Sequence, residues 1–100
     1  MNHVELGPHM ADFSALNRVT PLLRDTGIRM FLLHLRAGEE MREHKVKGPI
    51  TVHCLKGSVL FRTATDEVEL TAGSLLTLPA EIPHSLIARP DTLVLVTVFE

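Results

Sequence analysis

A chain of 100 residues has room for one domain with a single modest hydrophobic core, which argues against a separate catalytic or cofactor-binding lobe. Its 10 basic and 12 acidic residues give a net charge of -2 without a run of like charges, so nucleic acid is not an expected partner. The apolar stretches are strand-length and no charged-then-apolar leader opens the chain, which predicts a cytoplasmic protein without a membrane partner.

The first 27 residues are predicted to form an N-terminal arm. The segment from Asp12 to Arg18 could start a short helix, with Asp12 or Ser14 as its cap, but no sustained apolar stripe of helical period follows. We therefore separate residues 1–27 from the domain, and we expect this arm to pack on, or exchange with, a sheet of a partner subunit.

From Ile28 onward the chain changes to short β-rich runs separated by Gly, Pro and Asp at close spacing. Because no helix lies between the runs, a βαβ topology is excluded. A small antiparallel sheet can remove its exposed edges by closing as a barrel or jelly roll. The sequence therefore predicts an all-β domain over residues 28–100. The eight runs are Ile28–Arg36, Met41–Lys47, Ile50–Lys56, Ser58–Thr63, Val68–Leu70, Leu75–Leu78, His84–Ala88 and Leu93–Phe99.

One stretch of this domain resembles the first of the two motifs that define the cupin proteins. That motif is Gly, five residues, His, one residue, His, three or four residues, Glu, six residues, Gly. Gly38, His44 and Gly57 match it at the expected spacing. Val46 stands where the second His belongs, and Ile50 stands where the Glu belongs.

A second stretch resembles the other cupin motif, which is Gly, five residues, Pro, one residue, Gly, two residues, His, three residues, Asn. Gly73, Pro79 and His84 match, whereas Glu81 and Ala88 differ from it. The paired spacings are far more specific than either motif alone. The resemblance implies that residues 28–100 form a cupin domain, which is a double-stranded β-helix or jelly-roll barrel.

The cupin resemblance also implies an internal site that contains His44 and His84. Side chains alternate across a strand, so residues 44 and 46 share one face, as do residues 50, 52 and 54. In a cupin this face is the barrel interior, where three His and a Glu can bind a divalent metal such as Fe, Mn, Ni or Zn. This chain keeps two of those four positions, His44 and His84, as candidate metal ligands, and no cofactor is firmly predicted.

Four other residues could supply a missing ligand: His34, His53, Cys54 and Glu43. By alternation Cys54 shares the inward face and His53 lies on the outer face. A single buried Cys usually acts as a small core residue, and no disulfide framework can form from one cysteine. His34 could look into the interior, but a cross-strand or interface role is the better interpretation for both His34 and His53.

Three functions remain open on this sequence. The first is a small-molecule-binding cupin, whose pocket combines two histidines with aliphatic walls. The second is a divalent-metal cupin enzyme, dioxygenase-like or isomerase-like by the resemblance. The third is a structural module with a packed interior, and the sequence does not decide whether the protein is an enzyme.

We also expect a homodimer, because 45% of the residues are hydrophobic and one small core cannot bury them all. The predicted pocket residues are His44, His84, Ile50, Val52, Leu76 and Leu78.

Overall fold

The computed structural model describes residues 1–100 and contains two antiparallel sheets that face each other around one core. One sheet has five strands in the order β1-β2-β9-β4-β7, and the other has four in the order β3-β8-β5-β6. This arrangement confirms the all-β jelly-roll fold. The strands are β1 Val19–Asp25, β2 Ile28–Leu35, β3 Glu40–His44, β4 Ile50–Lys56, β5 Ser58–Arg62, β6 Glu67–Thr71, β7 Leu75–Leu78, β8 His84–Ala88 and β9 Thr92–Phe99.

The strand that the sequence analysis missed is β1, which the assignment of residues 1–27 to an arm had excluded from the domain. Val19–Asp25 pairs along its length with β2 and forms the edge of the five-stranded sheet. Its register shifts between Pro21 and Leu23, and proline is tolerated at such an edge, where no neighbour requires its missing N–H. The arm is therefore limited to the first 18 residues.

The arm contains a short helix α1, Gly7–Ala11, and a 3-10 turn, Phe13–Ala15, rather than a helix that runs on to Arg18. Its end packs against the outer face of β2, where Phe13 meets the His34 ring edge-on at 5.8 Å between ring centroids. No helix of the structure is long and apolar enough to cross a membrane.

The core lies between the two sheets because inward residues of facing strands bury apolar side chains there. On the five-stranded sheet these residues form rows across β2, β9 and β4. Leu33, Val94 and Cys54 make one row and are almost fully shielded from solvent. This row closes one end of the barrel.

Candidate functional site

A cavity of about 210 Å³ lies in the other half of the barrel. We call it the barrel cavity. Nine of its twelve lining residues are hydrophobic, and they come from both sheets, so the space is enclosed by apolar walls with a few polar groups. The lining residues are Arg29, Phe31, Leu33, Met41, His44, Val46, Ile50, Val52, His84, Leu86, Val96 and Val98.

Strand register explains why the cavity has this lining. In the five-stranded sheet Phe31, Val96 and Val52 pair across three neighbouring strands, one step from the closed end. The next row outward is formed by Arg29, Val98 and Ile50, so the cavity opens toward the end where this row lies. Every second residue of β2, β9 and β4 therefore faces the barrel interior, and those toward the open end line the cavity.

The structure brings the two motif histidines together on the opposite sheet. His44 and His84 are paired across β3 and β8, and their ring centroids are 4.3 Å apart. The register of β3 shifts between Met41 and His44, which turns the end of this strand relative to β8. His84 is only 3% exposed, whereas His44 is exposed at the rim of the cavity.

Each of these histidines has one ring nitrogen held by the backbone. Nδ1 of His84 donates to the carbonyl of Ile82 at 2.9 Å, and Nδ1 of His44 donates to the carbonyl of Arg42 at 3.0 Å. Because a carbonyl can only accept, the proton of the neutral ring lies on Nδ1, and Nε2 is an acceptor. Neither Nε2 has a hydrogen-bond partner within the chain.

His84 is fixed between two rings. The ring of Phe61 stacks on one side at 5.3 Å with an interplanar angle of 14°, and His44 lies on the other side. Burial lowers the pKa of His84, the nearby His44 lowers it further, and the hydrogen bond to the Ile82 carbonyl opposes these effects. His84 is therefore a neutral imidazole at pH 7.

The other candidate metal ligands do not join this pair. His34 is buried on the outer face of β2 with Nδ1 donating to the carbonyl of Leu16, and Glu43 is exposed. His53 alternates to the outer face of β4, while Cys54 is fully buried in the core with its thiol near the Lys56 carbonyl. No three His, Cys, Asp or Glu residues of the chain converge in a way that could hold a metal ion.

This donor set does not fit a resident metal. Stable protein sites generally use three or four ligands, and His44 and His84 supply two nitrogens. Val46 and Ile50, at the positions where the cupin motif has His and Glu, line the same cavity with aliphatic groups instead. These groups supply neither a lone pair nor a negative charge to a cation.

Four of the six predicted pocket residues line the barrel cavity, and two do not. His44, His84, Ile50 and Val52 are in its wall. Leu76 and Leu78 are half-buried against the core, but they line a separate recess that they share with Phe61. Since β7 is the edge strand of its sheet beside β4, its inward residues cover the far side of the core rather than the cavity.

The sequence reasoning missed the contribution of β2 to the site. The cavity is lined by Arg29, Phe31 and Leu33 of this strand. The sequence analysis considered only His34, which lies on the opposite face. Alternation alone groups Arg29 with Phe31 and Leu33, so the signal was present. Both faces of β2 are rich in apolar residues, however, and therefore the sequence did not show which one was inward.

The fold and the cavity define a small cupin-type barrel whose interior can accept a ligand. Residues 27–97 match the family model of the AraC-like ligand-binding domain, which covers more than half of the chain. The chain belongs to this family. The cupin resemblance seen in the two motifs is thereby confirmed.

Solved structures with low sequence identity share the fold. A cupin superfamily protein from Desulfitobacterium hafniense has a TM-score of 0.77 and 17% identity, over 81% of this chain and 74% of that chain. A cupin-2 domain-containing protein from Shewanella frigidimarina has a TM-score of 0.76 and 14% identity, over 91% of each chain. An RmlC-like cupin protein from Desulfovibrio desulfuricans has a TM-score of 0.76 and 21% identity, over 85% of this chain and 89% of that chain. No curated protein sequence matches the chain.

Proposed function

We propose that this domain binds a small organic molecule in the barrel cavity, with no metal required for binding. The observation that carries the proposal is the combination of nine apolar lining residues with two histidines whose Nε2 atoms have no partner in the chain. Ligand pockets commonly use apolar walls for affinity and a few polar groups for orientation. Membership of the AraC-like ligand-binding family supports the same role.

The size of the cavity limits the ligand. An apolar cavity of about 150 Å³ accepts benzene, so about 210 Å³ suits a single ring or a short branched chain with one polar substituent. The apolar part would contact Ile50, Val52 and Val96, and a donor group of the ligand would meet the acceptor Nε2 of His84 or His44. Burial of the ring would supply most of the binding free energy, because the apolar area removed from water contributes about 25 cal/mol per Å².

Benzamide is a suitable neutral probe, since its ring matches the cavity and its amide can donate to Nε2. We expect benzamide at millimolar concentration to raise the thermal midpoint of the wild-type protein. At ten times the dissociation constant, mass action stabilises the folded state by about 1.4 kcal/mol. That corresponds to a shift of about 6–11 °C for a chain of this length.

A matched pair of variants tests the location of binding. Val96→Phe places a ring in the cavity and is expected to abolish the shift, whereas Val68→Phe adds the same bulk at an exposed position on β6 and is expected to retain it. An equal shift in both variants would place binding outside the barrel cavity. Absence of any ligand-induced shift in the wild-type protein would contradict the proposed function.

The second candidate is the divalent-metal enzyme, and one observation favours it. Hydrogen bonds from Nδ1 to a backbone carbonyl are a common way to orient metal-binding histidines, and both His44 and His84 have one. Inductively coupled plasma mass spectrometry of untagged protein, with and without prior chelation, separates the two candidates. Near-stoichiometric Fe, Mn, Ni or Zn whose removal abolishes the benzamide shift would favour the metal site, while an unchanged shift after chelation supports the organic pocket.

A further inference from the structure

Arg29 occupies a position in the barrel cavity that neither cupin motif includes. It lies in the outermost row of the cavity wall, next to Val98 on the neighbouring strand. It also borders two recesses that open beside the cavity, one of which contains Lys45 and Lys47. A molecule that enters the cavity from this end therefore passes the guanidinium group.

The guanidinium of Arg29 has no partner within the chain. Its Nε is shielded from solvent and makes no hydrogen bond, and no carboxylate lies within 4.0 Å of the group. The guanidinium lies over the ring of Phe31, whose centroid is 5.7 Å from the guanidinium carbon. By contrast Arg24, Arg62 and Arg89 each pair with a glutamate on the surface.

The surrounding charges do not neutralise this arginine. None of the twelve residues that line the barrel cavity is acidic. Glu100 is the one acidic residue in the recess beside Lys45 and Lys47, and its side chain pairs with Arg24 at 3.8 Å. Lys45 pairs with Glu81, but Lys47 has no ion pair, so the open end of the cavity carries an excess of positive charge.

We propose that Arg29 selects ligands that carry a carboxylate, so that the natural ligand is a small monocarboxylate with an apolar body. This inference rests on the proposed binding of an organic molecule in the same cavity. A guanidinium can donate two parallel hydrogen bonds to a carboxylate. A partly desolvated guanidinium without a partner gains more from such a pair than an arginine that is fully exposed to water. A single permanently charged side chain in the lining suits a monoanion better than a dianionic phosphate.

Benzoate and benzamide differ in charge but hardly in shape, so their affinities isolate the contribution of the arginine. At pH 8, well above the ordinary pKa of histidine, Arg29 supplies the positive charge of the lining. Isothermal titration calorimetry of the full chain at this pH should show benzoate binding about ten- to a hundredfold more tightly than benzamide. In Arg29→Gln this ratio should fall to about one, because the charged partner of the carboxylate is lost. The comparison uses the ratio of the two affinities within each variant, so a change in cavity shape that affects both probes does not alter the outcome.

Two controls keep the inference falsifiable. Arg62→Gln removes an exposed arginine that does not line the cavity and should leave the ratio unchanged. Arg29→Lys keeps the charge but not the planar fork, so it should retain an intermediate preference. Equal affinities of benzoate and benzamide for the wild-type protein, or an unaltered ratio in Arg29→Gln, would overturn the role of Arg29 while leaving cavity binding intact. Failure of both probes to bind would overturn the proposed function itself.

Discussion

Replacing Arg29 by methionine should stabilise the protein in the absence of ligand. A buried donor without a partner costs about 1–3 kcal/mol, and the Nε of Arg29 is such a donor. The contact with Phe31 offsets part of this cost, by about 0.5–1 kcal/mol. Methionine preserves the apolar stem against the cavity wall and removes both effects, so the expected net gain is about 1 kcal/mol.

The chain contains no Trp or Tyr, so urea unfolding is best followed by circular dichroism of the backbone rather than by fluorescence. A gain of about 1 kcal/mol corresponds to a rise in the thermal midpoint of about 4–8 °C, which calorimetry resolves easily. The slope against urea should not change, because the surface exposed on unfolding is nearly the same. The matched control is Arg62→Met, which breaks the exposed pair with Glu67 and should change the free energy of unfolding by about 1 kcal/mol or less.

A lower free energy of unfolding for Arg29→Met than for the wild-type protein would refute this reasoning. It would mean that the guanidinium stabilises the fold through interactions in the folded state. A higher value together with lost benzoate preference would show that the arginine is retained for ligand binding at a cost in stability, a trade-off that is common at functional sites.

Further predictions concern titration, packing, reactivity and assembly. Burial lowers the pKa of His84, so the unfolded chain binds a proton at this imidazole more readily than the folded protein does. The free energy of unfolding should therefore fall as the pH drops below about 6.5, and it should fall less steeply in His84→Gln. Gly48→Ala should destabilise by about 1–3 kcal/mol, because the added methyl group would overlap the Phe99 carbonyl, whereas Gly7→Ala meets no neighbouring atom and should be nearly neutral. Burial raises the pKa of the Cys54 thiol, so a disulfide reagent at pH 8 should modify it only after urea unfolds the chain. Light scattering at micromolar concentration should give twice the 11.1 kDa chain mass, and a value near 11.1 kDa would exclude the homodimer.

The sequence predicted the fold well because the domain obeys short-range rules. Gly, Pro or Asp occurs in every connection, and apolar runs of strand length lie between these connections. Each of β2 to β9 therefore coincides with a predicted run to within a few residues at each end. Strand β1 was not predicted, and the reason is physical. Pro21 weakens the local signal for a strand, and it is accepted only because β1 lies at the edge of the sheet.

The candidate site was predicted in part. The two motif spacings led to His44 and His84, and the structure pairs these residues across neighbouring strands. Alternation along β4 led to Ile50 and Val52, which line the cavity. The same rule failed for Leu76, because alternation gives the face of a strand but not which part of the interior that face covers.

The sequence by itself determined the β-strand architecture and the aliphatic residues at Val46 and Ile50, since each depends on local spacing and residue type. That His44 and His84 share the barrel interior was implied by the cupin resemblance. Only the tertiary structure decided that Arg29 faces the barrel cavity. The arm covers the outer face of β2, so both faces of this strand are buried and both carry apolar residues. The alternation of apolar and polar residues therefore could not show which face was inward. Arg29 has no carboxylate within 4.0 Å, and this depends on contacts between residues distant in sequence, such as the pair of Arg24 with Glu100.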